Sequence, residues 1–175
     1  MKNYIIITLL LLITIIYAQE LIPVIENYSN GNIYSITYHK TTLYGTIGEI
    51  HGLRTWLYDN KQIKIESHYK NGKKDGLWTY WYKNGQKKEE GTFKDGKVDG
   101  QYSGWYKNGQ KWYEGTYKND EIDGLNTVWY KNGQKMFVRN YIYGVRDGLT
   151  TEWWENGQKK LEGIDKDDKQ DGLWT

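Results

Sequence analysis

Three histidines, His39, His51 and His68, are the first residues to test for metal or acid–base chemistry, and their spacing matches no metal-ligand pattern. The stretch Asp165-Lys166-Asp167-Asp168-Lys169-Gln170-Asp171-Gly172 starts like a calcium loop. It then places lysine where such a loop needs an oxygen ligand, so it fails as an EF-hand. The chain has no cysteine and no Gly-x-Ser-x-Gly elbow, which removes the usual nucleophile signatures. The residues therefore predict a non-enzymatic protein with no metal and no cofactor.

What remains is recognition chemistry, carried by lysines and aromatic rings. Lys83, Lys87, Lys107, Lys111, Lys131 and Lys135 gather around successive Asn-Gly steps, with Lys88, Lys159 and Lys160 in the same setting. They predict one basic rim that could meet an anionic lipid, a wall polymer or an acidic protein. Solubility of exposed turns accounts for the same pattern. The net charge is only +2, falling to about +1 if Lys2 is removed with a leader, so no nucleic-acid partner is expected. A second regular row is Tyr58, Tyr82, Tyr106, Tyr130 and Trp154. It could stack carbohydrate or choline. We read it instead as a structural cross-strand row, because a thin ribbon needs aromatic bulk.

The elements that position these residues are repeats. Asp75-Gly76, Asp99-Gly100, Asp123-Gly124, Asp147-Gly148 and Asp171-Gly172 recur every 24 residues, and His51-Gly52 lies one step upstream. The seventh position of each unit is Trp81, Trp105, Trp129 or Trp153, with Leu57 in the first. Asn-Gly closes each half-unit at Gly85, Gly109, Gly133 and Gly157. Nine Trp and 17 Tyr against one Pro, Pro23, favour pleated strands joined by glycine turns. Asn-Gly between strand formers predicts a two-residue type I′ hairpin turn. That register sets Tyr82 against Lys87, Trp81 against Lys88, Thr79 against Glu90 and Leu77 against Thr92. The second turn, such as Lys94-Asp95-Gly96-Lys97-Val98-Asp99-Gly100, is expected to be longer. The fold class is all-β: an elongated single-layer ribbon of antiparallel hairpins, on the order of 50 Å for five units at about 4.8 Å per strand.

Strand alternation divides each unit between two faces. Leu77, Thr79, Trp81 and their counterparts are nearly constant and are expected to form the packed face. Positions on the other face vary through Trp78, Tyr80, Tyr102, Gly104, Asn126, Val128, Thr150 and Glu152. Release from a packing demand makes Trp78, Tyr80, Tyr102, Asn126 and Val128 candidate binding residues, although simple tolerance of exposed positions accounts for the variation without a ligand.

The phrase "EGTFKDGKVDGQYSGWYKNGQ" at 90–110 resembles the MORN repeat in its bacterial variant, found in exported and antitoxin-like proteins. The resemblance covers roughly 51–175 as five repeats and the opening of a sixth. The second glycine of the usual Gly-x-Gly is replaced by Thr55, Thr79, Ser103, Thr127 and Thr151, and Arg139-Asn140 replaces Gly-Thr in one unit. The resemblance implies a scaffold that binds a protein, and more specifically one that neutralises a toxin. A cell-wall polymer, carbohydrate or anionic-lipid module is the alternative.

Ahead of the repeats, Lys2 precedes an apolar run over 4–18, and the chain turns polar at Gln19-Glu20. This reads as a signal peptide over 1–18 cut after Ala18, and the run is short of the roughly 20 residues of a spanning helix. The protein is expected to be exported, to a periplasm, a cell surface or the medium. Residues 19–50 are expected to form an irregular cap with a degenerate repeat, since solenoids need an atypical terminal unit.

Overall fold

In the computed structural model, residues 20–42, 44–172 and 174–175 are described. The expected signal segment, 1–18, and Leu173 lie outside the described residues. Among the described residues thirteen strands form one sheet in simple sequence order, each hydrogen-bonded to the next. They are β1 (Leu21–Asn27), β2 (Ile33–Thr41), β3 (Ile47–Leu57), β4 (Ile63–Lys70), β5 (Lys73–Trp81), β6 (Lys87–Lys94), β7 (Lys97–Trp105), β8 (Lys111–Lys118), β9 (Glu121–Trp129), β10 (Lys135–Ile142), β11 (Val145–Trp153), β12 (Lys159–Lys166) and β13 (Lys169–Asp171). Every pairing is antiparallel. The ribbon expected from the repeats is therefore the fold. Among the described residues it has no second layer, and no hydrophobic side chain is buried. Stability comes from each hairpin leaning on its neighbours, as in other quasi-one-dimensional repeat proteins.

The two turn types are exchanged between the edges relative to the sequence expectation. At the Asn-Gly edge, the Gly85 amide donates to the Tyr82 carbonyl at 2.9 Å and the Tyr82 amide to Gln86 at 2.8 Å. Only Gly85, at φ 84°, is left-handed there, so the loop has three residues, a type I turn followed by a glycine bulge. The Asn84 side chain accepts from the Gln86 amide at 3.2 Å and locks the turn. The type I′ turns lie at the opposite edge, where Asp95 and Gly96 have φ 51° and 92° and Lys94 pairs with Lys97. Those turns are shorter than expected because Gly100, at φ 122°, sits inside β7 and absorbs the extra residues as a bulge.

The longer Asn-Gly loop leaves most of the strand register intact. Thr79 faces Glu90 and Leu77 faces Thr92 as expected, and Tyr80 faces Glu89 in the same register. Next to the turn Trp81 pairs with Lys87 rather than Lys88, and Tyr82 bonds to Gln86 rather than facing Lys87. Lys88 is the extra residue of a bulge, and it cancels the one-residue shift that the longer loop introduces.

Hydrogen bonds between successive units lock the ribbon along both edges. At one, tyrosine hydroxyls donate to the carbonyl of the next unit's seventh position: Tyr58 to Trp81 at 2.7 Å, Tyr82 to Trp105 at 2.8 Å, Tyr106 to Trp129 at 2.9 Å and Tyr130 to Trp153 at 3.0 Å. The row is structural in the sense expected. At the other edge, turn amides donate to backbone carbonyls of the preceding unit, as Gly96 does to Lys74 at 2.8 Å. Asp75 and Asp123 of the recurring Asp-Gly also accept, from the Asp95 and Tyr143 amides. The segment over 20–50 joins the same scheme: Gly31 donates to Tyr28 as the other Asn-Gly turns do, and the Tyr28 hydroxyl reaches Leu57 at 3.0 Å.

Candidate interaction surfaces

On the variable face, rings lie on glycines. A β-carbon at Gly91 would stand 2.5 Å from the Tyr102 ring, one at Gly104 would stand 2.4 Å from Trp112, and one at Gly163 would stand 2.4 Å from Trp174. Each ring covers a neighbour that has no side chain of its own, so the variation between units is compensated across strands. Tyr102 makes edge-on contacts with Tyr113 and Tyr117, with ring centres 6.1 and 6.0 Å apart. Its hydroxyl donates to Glu89 at 2.9 Å, and the Asn126 amide donates to the Tyr113 hydroxyl at 3.1 Å. The Tyr113 and Tyr117 hydroxyls share a hydrogen bond. Burial first, and the hydrogen-bonded neighbours second, push the Tyr102 and Tyr113 hydroxyls well above the ordinary tyrosine range.

The sequence candidates on this face thus fall into two groups. Trp78 and Tyr80 pack together with Phe93, roofed by Lys74 at 5.2 Å from the Trp78 ring and by Lys88 at 4.5 Å from the Tyr80 ring. Tyr102, Asn126 and Val128 gather around Tyr113, which pairs in register with Val128. Farther along, Arg139 donates to Glu152 at 2.5 Å and Lys160 reaches the same carboxylate at 3.2 Å. Burial pushes the Glu152 carboxyl up, but those two hydrogen bonds more than offset it and leave it below its ordinary value.

The basic rim divides into lysines with different surroundings. Lys83 reaches Asp59 at 2.7 Å, while Lys107 and Lys131 make no ion pair among the described residues. The strand-opening lysines instead fold along the tryptophan row. Lys87 pairs with Glu90 at 2.5 Å and lies 5.8 Å from the centre of the Trp105 ring; Lys111 pairs with Glu114 at 2.8 Å and lies between Trp105 and Trp129. Lys135 stands 5.9 Å from the centre of the Trp153 ring and makes no ion pair among the described residues. Much of the charge that a linear reading assigns to a free rim is therefore matched within the sheet.

The constant face departs from its expected role. Its threonines are covered, Thr79, Thr127 and Thr151 all being buried, but Leu77, Leu125 and Leu149 are 48, 57 and 57 % exposed. Ile164, which pairs with Leu149, is 51 % exposed. These leucines were legible as a constant position. Their exposure was not, because constancy suggests burial only where a second layer exists to bury against. Among the described residues no group of His, Cys, Asp or Glu is arranged to hold a metal ion.

A family model described as the MORN repeat variant matches residues 50–71, 74–95, 98–119 and 146–164. The chain belongs to the MORN-repeat family. Within this MORN-repeat chain the matches advance with the 24-residue period and skip the unit that carries Val138, Arg139 and Asn140. No curated protein matches the chain. Among solved structures the chain is similar to a mutant of TarM from S. aureus in complex with fondaparinux, alpha-GlcNAc-glycerol and UDP, at 12 % identity and a TM-score of 0.30. That similarity covers 90 % of this chain and 23 % of the other, so the MORN-repeat chain spans less than a quarter of that structure.

Proposed function

We propose that this protein is a non-enzymatic, exported scaffold that binds a protein partner on the faces of its ribbon, and that the partner is a toxin it neutralises. The observation that carries the binding reading is the file of exposed Leu77, Leu125, Leu149 and Ile164 on one face of a one-layer sheet. Leu149 and Ile164 are direct cross-strand neighbours, while Thr92, Gln101, Thr116 and Asn140 intervene before Leu125 and Leu77. Exposed apolar side chains interleaved with polar ones suit a protein surface better than a polymer or a lipid headgroup. Pairing of Lys83 with Asp59 on the neighbouring turn, and of Lys87 and Lys111 with strand carboxylates, points the same way, since it removes charge from an anion-binding rim. Export rests on the apolar run over 4–18, and the toxin on the resemblance to antitoxin-like relatives.

The test is capture of partners by residues 19–175 from an envelope extract of the source cell, at low and moderate salt. A single stoichiometric protein retained at moderate salt is the expected result. Tyr102→Ala and Leu125→Ser versions then report which face holds it. Recovery of wall polymer or lipid alone, released by salt, would sink the protein-binding reading.

A further inference from the structure

On the constant face a file of side chains crosses the sheet in register: Thr55, Glu66, Thr79, Glu90, Ser103, Glu114, Thr127, Val138, Thr151, Glu162. Hydroxyl and carboxylate alternate along it with one interruption, Val138. Glu90, Glu114 and Glu162 each bind their surroundings, whereas Glu66, with Ile63 three residues before it, makes no such bond among the described residues. Thr79 donates to Glu90 at 3.3 Å and Thr151 to Glu162 at 3.0 Å. The lysine three residues earlier pairs with the same group at Lys87–Glu90, Lys111–Glu114 and Lys159–Glu162, at 2.5, 2.8 and 2.9 Å.

At Val138 this arrangement lacks its anion. Lys135 is exposed, lies over the Trp153 ring and has no carboxylate partner among the described residues. Thr127 and Thr151 flank an apolar side chain where Thr79 and Ser103 flank Glu90. Leu125 and Leu149, the two most exposed members of the leucine file, stand two residues from Thr127 and Thr151 on the same face.

We infer that the Lys135–Val138 interruption is the docking slot for a carboxylate side chain of the partner, flanked by apolar residues that cover Leu125 and Leu149. This rests on the protein-binding reading above and narrows it to an acidic, apolar-flanked segment. Charge complementarity selects that occupant. Lys135 supplies the cation that the units of Lys87, Lys111 and Lys159 neutralise internally, and Val138 and the leucines favour contacts that exclude water and strengthen the pair. An anionic headgroup would satisfy the lysine and leave the leucines uncovered.

A random twelve-residue peptide library displayed against the full-length protein tests the slot directly, whatever the partner's identity. The expected outcome is enrichment of peptides with Asp or Glu next to apolar residues. Their binding should weaken at least tenfold in Val138→Glu, which fills the interruption, and in Lys135→Met, and should recover in Lys135→Arg. Circular dichroism of each variant separates loss of the slot from loss of the fold, and Lys135→Met carries the test if Val138→Glu does not fold. Failure to enrich any peptide, enrichment with no acidic position, or equal binding to folded variants would overturn the proposal. So would anionic vesicles, or a second copy of this chain, binding with the same dependence on position 138. If the envelope partner is still captured by Lys135→Met at full strength, the scaffold reading stands and the slot alone falls.

Discussion

The Tyr82 hydroxyl donates to the Trp105 carbonyl at 2.8 Å, joining two consecutive units through a bond that no single hairpin could make. Tyr58, Tyr106 and Tyr130 repeat it, so each unit is tied to the next at the Asn-Gly edge. Tyr82→Phe keeps the ring and removes the bond. The expected cost is about 1 kcal/mol by urea denaturation, with faster amide exchange in the hairpin that contains Asn84. Unchanged exchange there would show that the ring alone holds the units together.

Gly91 beneath Tyr102 gives a second prediction. Gly91 has no left-handed φ, so the damage done by a methyl group is steric: it would meet the ring at 2.5 Å. Gly91→Ala should lift Tyr102 from Glu89 and from its aromatic neighbours at a cost of about 1–3 kcal/mol. Near-ultraviolet circular dichroism should change with it. A Gly91→Ala, Tyr102→Ala double variant should recover part of the loss, and strict additivity would rule the contact out as the cause.

Acid and alkali should act on different parts of the sheet. Glu152 is held below its ordinary value in the folded state, so its contribution is present above the unfolded value of about 4.3 and is lost as pH falls through the folded value. Glu152→Gln should therefore flatten the fall in urea midpoint below about pH 5. Tyr113 is raised above the ordinary value of 10.0, so its contribution is intact below that pH and declines as pH rises beyond it. Tyr113→Phe should flatten the alkaline limb and leave the acid limb as it was.

Val138→Glu should complete the hydroxyl–carboxylate file and pair with Lys135. The gain expected for a half-exposed pair is about 0–1 kcal/mol. A double-mutant cycle with Lys135→Met, read by urea denaturation, should return a coupling of about 0.5 kcal/mol. Zero coupling would mean that Lys135 does not reach the position that Glu occupies in the neighbouring units.

From residue 51 onward the 24-residue period carried the all-β ribbon, the order of its strands and the position of each turn, because each unit makes the same local choices and meets only its neighbours. The tyrosine row was legible for the same reason. Turn geometry was not: Asn-Gly permits both a type I′ turn and a type I turn closed by a glycine bulge, and the choice depends on whether the partner strand can take up an extra residue, here Lys88. Nor could the linear pattern say which face was covered. Tyr102 and Gly91 are complementary only because β6 and β7 pair in a register that sets the ring on the glycine, and the constant Leu125 and Leu149 stay exposed because no second layer lies against them. Alternation assigns a side chain to a face, whereas burial is settled by what the neighbouring strands place beside it.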